Sequence, residues 1–265
     1  MFGTYKNKKA TDNKESADAI KFISINEIFP AQTRCSIQNA KDKAEKAAAK
    51  KEDMWKHHGT SILPKKKALP VVLSSLGYVL IDGHHDVLAS IQLKAKKVPI
   101  KIIADLSHLP LEQFWREAEK NGWAYLYTID GKRSMPPARF SDLTDDPNRY
   151  FAAITAQKYT SNGDGSFTSK GAEYPLWIKV GKDIPFIEFQ VANALYKKDF
   201  IYNFEQMKNS PSPEILEQAR QILLEAQIPG LHVLSSRIHY REINLDQIIN
   251  SSKESQSEIL PSMRK

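Results

Sequence analysis

The stretch Tyr78–Ser90, YVLIDGHHDVLAS, leaves a chain few ways to fold. An apolar, β-rich run ends at Asp82, one glycine follows, and apolar residues at helical spacing (Val87, Leu88, Ile91) begin with no linker between. Gly83 permits the tight turn that a side chain would obstruct, and polar residues occupy the first helical positions. Amides at a helix N-terminus point outward with partial positive charge, so this corner suits an anion such as phosphate or carboxylate. Two imidazoles, His84 and His85, and two carboxylates, Asp82 and Asp86, surround it. The same residues have other uses. Asp82 can cap the helix, the histidines can hydrogen-bond to neighbouring side chains, and Asp82 with Asp86 can hold a metal ion. Adjacent helical residues point about 100° apart, which disfavours both histidines on one ion.

The flanking segments supply a compact α+β unit. IKFISINEIFP alternates apolar and polar residues up to Pro30 and predicts a strand and a short turn. IQNAKDKAEKAAAKKEDMWKHHG predicts a largely exposed helix with a thin apolar face, closed by Gly59. LPVVLSSLGYVLID predicts a hairpin and VPIKIIADL a further strand. Residues 19–105 are therefore expected to form one α+β domain behind a flexible tail over 1–18. From 106 to 245 the pattern turns mainly helical, with LPLEQFWREAEKNGW, TDDPNRYFAAITAQ, PFIEFQVANALYKKDFIYNF and SPEILEQARQILLEAQIPG each predicting a helix. AYLYTIDGKRSMPPARF predicts a strand, an Asp-Gly turn and a proline-rich loop, SNGDGSFTSKGAEYP a loop, and 246–265 a second flexible tail.

Charge narrows the partners. The 265 residues carry a net charge of +7, and the excess is confined to residues 1–101, with 19 basic and 10 acidic residues against 19 and 21 in the remainder. That asymmetry suits an anionic partner or a solvated lysine-rich surface. The basic runs are lysine rather than arginine and lack interleaved aromatics, which favours the surface over a nucleic-acid footprint. No run approaches the roughly 18 apolar residues a bilayer crossing needs. No apolar segment follows the basic N-terminus, so a soluble cytoplasmic protein with no membrane partner is expected; removal of an export signal would leave the same pattern. The single cysteine, Cys35, rules out an internal disulfide and a thiolate-rich metal site. Nothing in the sequence sets an oligomeric state.

Taken in order, these segments resemble the ParB/sulfiredoxin fold, and most closely the ParB-like nuclease family whose members carry an Asp-Gly-His-His motif. The likeness covers residues 20–198. FPAQT resembles that family's Pro-Thr-Gln segment, LPLEQFW its Leu-Ser-x-x-x-Phe-Trp stretch, TDDPNRYFA its Asp-Asp-Pro-x-Arg segment, and IEFQVANALYKK its Glu-Phe-x-Trp-Ala-Asp helix. The resemblance implies an α+β protein with a ParB/sulfiredoxin-like N-terminal unit and a helical C-terminal part packed against it. It also implies a phosphate site lined by Gly83, His84 and His85, with Asp82 orienting a histidine or a metal. His84 stands where sulfiredoxin has its cysteine nucleophile, so that chemistry is excluded. Two departures stand out. Asp86 occupies the position where the family usually has a phosphate-binding arginine, and Gln32 and Thr33 stand where kinase relatives place a catalytic carboxylate. Lys65, Lys66, Lys67 or Arg34 would have to supply the missing charge, or Asp86 favours a cation instead.

Two further segments carry chemistry. Glu188 lies among apolar residues, so it is either buried with a partner or lines a cleft, where a raised pKa would suit acid–base work. Asp145-Asp146-Pro147 reads as a helix start with Arg149 as partner to either aspartate, or as a catalytic cluster. Trp115, Trp123, Tyr125 and Tyr127 are expected to pack a second core layer, with stacking on a base as the alternative. The expected function is an enzyme that handles nucleotide phosphates by phosphotransfer or phosphate-ester hydrolysis. His84, His85, Asp82 and Glu188 are its candidate catalytic residues, and Gly83, Gln32, Thr33 and Lys67 its candidate phosphate ligands. ATP, ADP or CTP with Mg²⁺ are the candidate cofactors, with Asp82 and Asp86 at the metal. A DNA-binding protein or nuclease, and a catalytically degenerate scaffold, are the alternatives.

Overall fold

The computed structural model describes residues 20–49, 68–161, 167–170, 174–180, 185–203 and 211–234. Both expected tails, the end of the lysine-rich helix, and Lys65, Lys66 and Lys67 lie outside the described residues.

A five-stranded mixed sheet organises the first unit. Its strands are β1 (Lys21–Ser24), β2 (Ile28–Pro30), β4 (Leu69–Ser74), β5 (Gly77–Leu80) and β6 (Lys97–Asp105), in the order β1-β6-β4-β5-β2. β4 and β5 form the expected hairpin, while β2 runs parallel to β5 at the edge, where Pro30 ends it. The single strand expected from Ile20 is broken in two by a 3₁₀ turn over Ile25–Glu27, because the Ser24 side chain accepts a hydrogen bond from the Asn26 N–H at 3.3 Å.

Alternation along the strands gives the sheet two apolar faces. Val71, Leu80, Val98 and Ile100 face α1 (Ile37–Ala49) and α2 (His84–Gln92), whose buried residues include Ala40, Ala44, Val87 and Leu88. Val72 and Val79 face α3 (Leu111–Lys120), which buries Phe114, Trp115 and Ala118. The expected boundary at 105/106 thus falls between β6 and a helix that covers the same sheet.

Residues 124–133 make isolated bridges to Gln32 and within the turn rather than the expected strand. A short parallel ladder then pairs β3 (Arg34–Cys35) with β7 (Thr144–Asp145), laying the segment after β2 alongside the start of α4 (Pro147–Ile154).

The C-terminal part packs α4, α5 (Ile187–Tyr196) and α6 (Pro213–Ala226) around Phe151, Trp177, Val191, Leu195 and Leu223. It also contains a second sheet, β11-β10-β8-β9, built from β8 (Ala156–Ser161), β9 (Phe167–Lys170), β10 (Trp177–Val180) and β11 (His232–Val233). The loop expected over SNGDGSFTSKGAEYP therefore includes a strand. Its glycines and serines mask the pattern, and pairing of Lys158–Ser161 with Phe167–Lys170 supplies what local propensity does not. No helix among the described residues is long and apolar enough to cross a membrane.

Candidate functional site

The corner after β5 forms as the sequence requires. Gly83 adopts φ +91°, so the backbone demands glycine, and a Cβ there would lie 2.6 Å from Leu69 Cδ2 and make that methyl shift. Its carbonyl accepts from the Asp86 and Val87 N–H groups at 2.9 and 3.1 Å, which starts α2. Asp82 is exposed, and its Oδ1 accepts from the Gly83 N–H at 2.7 Å.

The two histidines part ways here. His84 is 4% exposed, its ring tilts against Phe140 at 5.8 Å, and its Nε2 accepts from the Ala31 N–H at 3.0 Å. Burial pushes its pKa down to about 3, so it is a neutral imidazole that fixes the turn after β2. Gln32 and Thr33, next along that turn, are buried; Thr33 Oγ1 donates to the Tyr127 carbonyl at 2.6 Å.

His85 stands among Lys43 of α1, Arg149 of α4 and Glu188 and is half-buried, but its Nε2 is enclosed and has no hydrogen-bond partner. Burial holds its pKa well below the usual histidine value, and the charges of Arg149 and Lys43 push it the same way, against Glu188. Lys43, from α1, sits 2.8 Å from Asp86 Oδ1. Arg149, from α4, stands 3.8 Å from Glu188 Oε2 of α5, with both side chains largely buried. The Arg149 Nε and Nη1 atoms are enclosed and without hydrogen-bond partners.

Arg34, considered above as a source of positive charge for the corner, is committed elsewhere. It is fully buried and pairs with Asp146 at 3.0 Å, bonds to Asn193 Oδ1, and lies over the Phe189 ring at 5.1 Å. Asp146 also caps α4 by accepting from the Arg149 N–H at 2.9 Å and accepts from the Tyr196 hydroxyl at 2.9 Å. Burial raises the Asp146 carboxyl pKa, opposed chiefly by Arg34. Arg149 therefore partners Glu188 through its side chain, whereas its link to Asp146 runs through the backbone.

The site thus gathers His85, Arg149, Glu188, Lys43 and Asp86, with Asp82 and Gly83 at its edge and His84 behind it. Lys43 was missed from the sequence as a member, and Arg149 was read there as partner to Asp145 or Asp146 or as part of a catalytic cluster, not as a residue of this corner. Arg149 and Glu188 do lie in the two downstream family-like segments, but a lysine within a lysine-rich helix carries no signal of its own. Among the described residues no group of three or more His, Cys, Asp or Glu side chains could hold a metal ion, and Asp86 is engaged by Lys43.

Several solved structures are similar to the chain. The crystal structure of protein Atu1540 from Agrobacterium tumefaciens aligns with a TM-score of 0.53 at 24% identity, covering 77% of this chain and 91% of that one, a likeness of fold. No curated protein matches the chain. The profile of the family described as "Putative ParB-like nuclease" matches residues 21–169, which spans the five-stranded sheet, the Asp-Gly-His-His corner and Arg149. Covering more than half of the sequence, that match establishes that the chain belongs to the ParB-like nuclease family.

Proposed function

We propose that this ParB-like protein is an enzyme acting on nucleotide phosphates, with the phosphoryl group bound between Arg149, Lys43 and the start of α2. The observation that carries this reading is the enclosed, unpartnered set of His85 Nε2 with Arg149 Nε and Nη1. Leaving a buried polar group unpaired costs about 1–3 kcal/mol, so such groups gathered at one corner argue for a ligand that pairs them. An anion fits a helix start flanked by Lys43 and Arg149, each of which keeps a carboxylate partner. Asp86 replaces the family's usual arginine but is paired with Lys43, and Arg149 brings a guanidinium to the corner from a different helix. His85, neutral near pH 7, would take the proton from an attacking hydroxyl or water, and Glu188 would hold the Arg149 guanidinium in orientation.

The test is thermal denaturation of the wild type, His85→Ala and Arg149→Ala with ATP, ADP, CTP or GTP, each with and without Mg²⁺. A bound nucleotide at 100 times its dissociation constant stabilises by about 2.7 kcal/mol. Stabilisation of the wild type that both variants lose is expected, together with phosphate release or transfer that stays level from pH 7.5 down through 6.5, because His85 remains unprotonated. Absence of any nucleotide effect, or an effect equal in all three proteins, sinks the reading.

Cleavage of nucleic acid is the second reading, favoured by the family's description and by the basic excess over residues 1–101. It predicts DNA binding whose logarithm falls steeply with the logarithm of salt concentration.

A further inference from the structure

We infer that the cleft between the 125–131 turn and α5 is a nucleotide subsite distinct from the His85 corner, with the base stacked on Tyr127 and the phosphate on Lys197. The cleft has a volume of about 710 Å³, within the range of small-molecule sites; its lining includes Tyr125, Tyr127, Asn193, Tyr196 and Lys197, and also Asp130, whose carboxylate is paired with Lys132 at 2.8 Å.

Its aromatic wall is built rather than incidental. Tyr125 stacks on Phe189 with ring centroids 4.3 Å apart and planes 13° apart, and its hydroxyl accepts from Asn193 Nδ2 at 2.6 Å. Asn193 in turn accepts from the buried Arg34 guanidinium, and Tyr196 donates to Asp146, so three lining side chains are held from behind. Tyr127, tilted 58° to Tyr125 at 5.6 Å, is different: it is 39% exposed, and its backbone, not its ring, makes the structural contact with Thr33. Trp115 and Trp123 pack against the first sheet, whereas Tyr127 is exposed and lines the cleft, where a planar ligand could stack on it.

Charge supplies the second half of the argument. Around this face Lys132 is paired with Asp130, Arg133 with Glu119, and Lys198 with Glu225. Lys197, at the end of α5, is exposed, lines the cleft and has no ion pair among the described residues. An exposed ring beside an uncommitted ammonium selects a ligand that joins a planar π system to an anion, which is the chemistry of a nucleotide. Phe189 contributes to both places, lying 5.2 Å from Arg149 Cζ and stacking on Tyr125, so the cleft is next to the proposed phosphate corner but separately lined. The inference does not depend on catalysis at His85.

The nucleotide could be free or one unit of a single strand, and calorimetric titration of the full chain with AMP and with a ten-residue oligothymidylate distinguishes these sources. Tyr127→Ala and Lys197→Gln, both at exposed positions, are each expected to weaken binding about five-fold or more, as loss of a stacked ring or a phosphate contact does. In a His85→Ala background, which removes the corner as a second nucleotide site, the binding that remains is expected to fall in the same way when Tyr127→Ala or Lys197→Gln is added, which separates it from the corner site. Oligonucleotide affinity ten-fold or more above that of AMP identifies a strand as the source, and equal affinity identifies the free nucleotide. If neither probe binds, or if Tyr127→Ala and Lys197→Gln both bind like the wild type, the inference is overturned, whether or not His85→Ala has an effect.

Discussion

Adjacent histidines with one residue type and two roles show what a single position decides. The sequence places His84 and His85 at the same corner, but the helical step between them turns one ring into the core and the other towards Lys43, Arg149 and Glu188. Nothing in Asp-Gly-His-His says which is which; that depends on Ala31, 53 residues away in sequence, offering its N–H to His84. The depressed pKa of His84 has a thermodynamic consequence. Its folded value of about 3 lies below the ordinary 6.5, so between these limits the unfolded chain binds a proton that the native chain does not. The stability due to neutral His84 is complete above about pH 6.5 and is lost progressively as pH falls towards 3. Glutamine can accept the Ala31 hydrogen bond without titrating. His84→Gln should therefore lose about 2 kcal/mol less stability than the wild type between pH 7 and pH 5, as read from urea midpoints. Parallel pH dependence in the two proteins would show that His84 is not held neutral.

At the scale of elements, the strand-to-helix corner and most helices were legible because their signals are local. Gly83, the Asp146 cap and the apolar spacing of α3 all act within a few residues. The second sheet was not legible, since β8 and β10 pair in parallel across a long connection and β9 is rich in polar residues. The same distinction governs the site: Gly83 could be read directly, whereas the Arg149–Glu188 pairing joins helices that are separate in the chain. Gly83 also makes the sharpest element-scale prediction. Gly83→Ala must adopt φ +91°, which strains the junction of β5 and α2, and its Cβ must also move the terminal methyl of Leu69 from 2.6 Å, the lesser of the two costs. A loss of about 2–4 kcal/mol in denaturant unfolding is expected, and a change under 1 kcal/mol would mean that the turn is not constrained as described.

At the scale of the whole molecule, the described residues form two apolar bodies joined by a polar seam. One body is the first sheet with α1, α2 and α3 on its faces; the other is centred on Phe151, Trp177 and Leu195. Between them run the Arg34–Asp146 pair, the Asn193 bond to Tyr125, the Tyr150 bond to Asp42 at 3.0 Å, and the Ile37 N–H bond to Asp145 at 2.8 Å. Burying the Arg34–Asp146 pair costs desolvation energy, so its presence adds little net stability while its disruption strands a charge. Asp146→Asn keeps the shape and a capping oxygen but leaves Arg34 without a counter-ion, and should lower stability by about 3–5 kcal/mol. Because the damage falls on the seam, the two bodies should also lose their common transition. Wild type is expected to unfold with coincident far-ultraviolet and tryptophan-fluorescence curves, and Asp146→Asn with separated ones, since Trp115 and Trp177 report on different bodies. The double variant Arg34→Met/Asp146→Leu removes both charges and should recover most of the loss, because the cost lies in the unpaired guanidinium rather than in the missing contact. A double variant as unstable as Asp146→Asn would instead place the cost in packing or in the lost cap of α4, and the seam would then hold by shape rather than by charge.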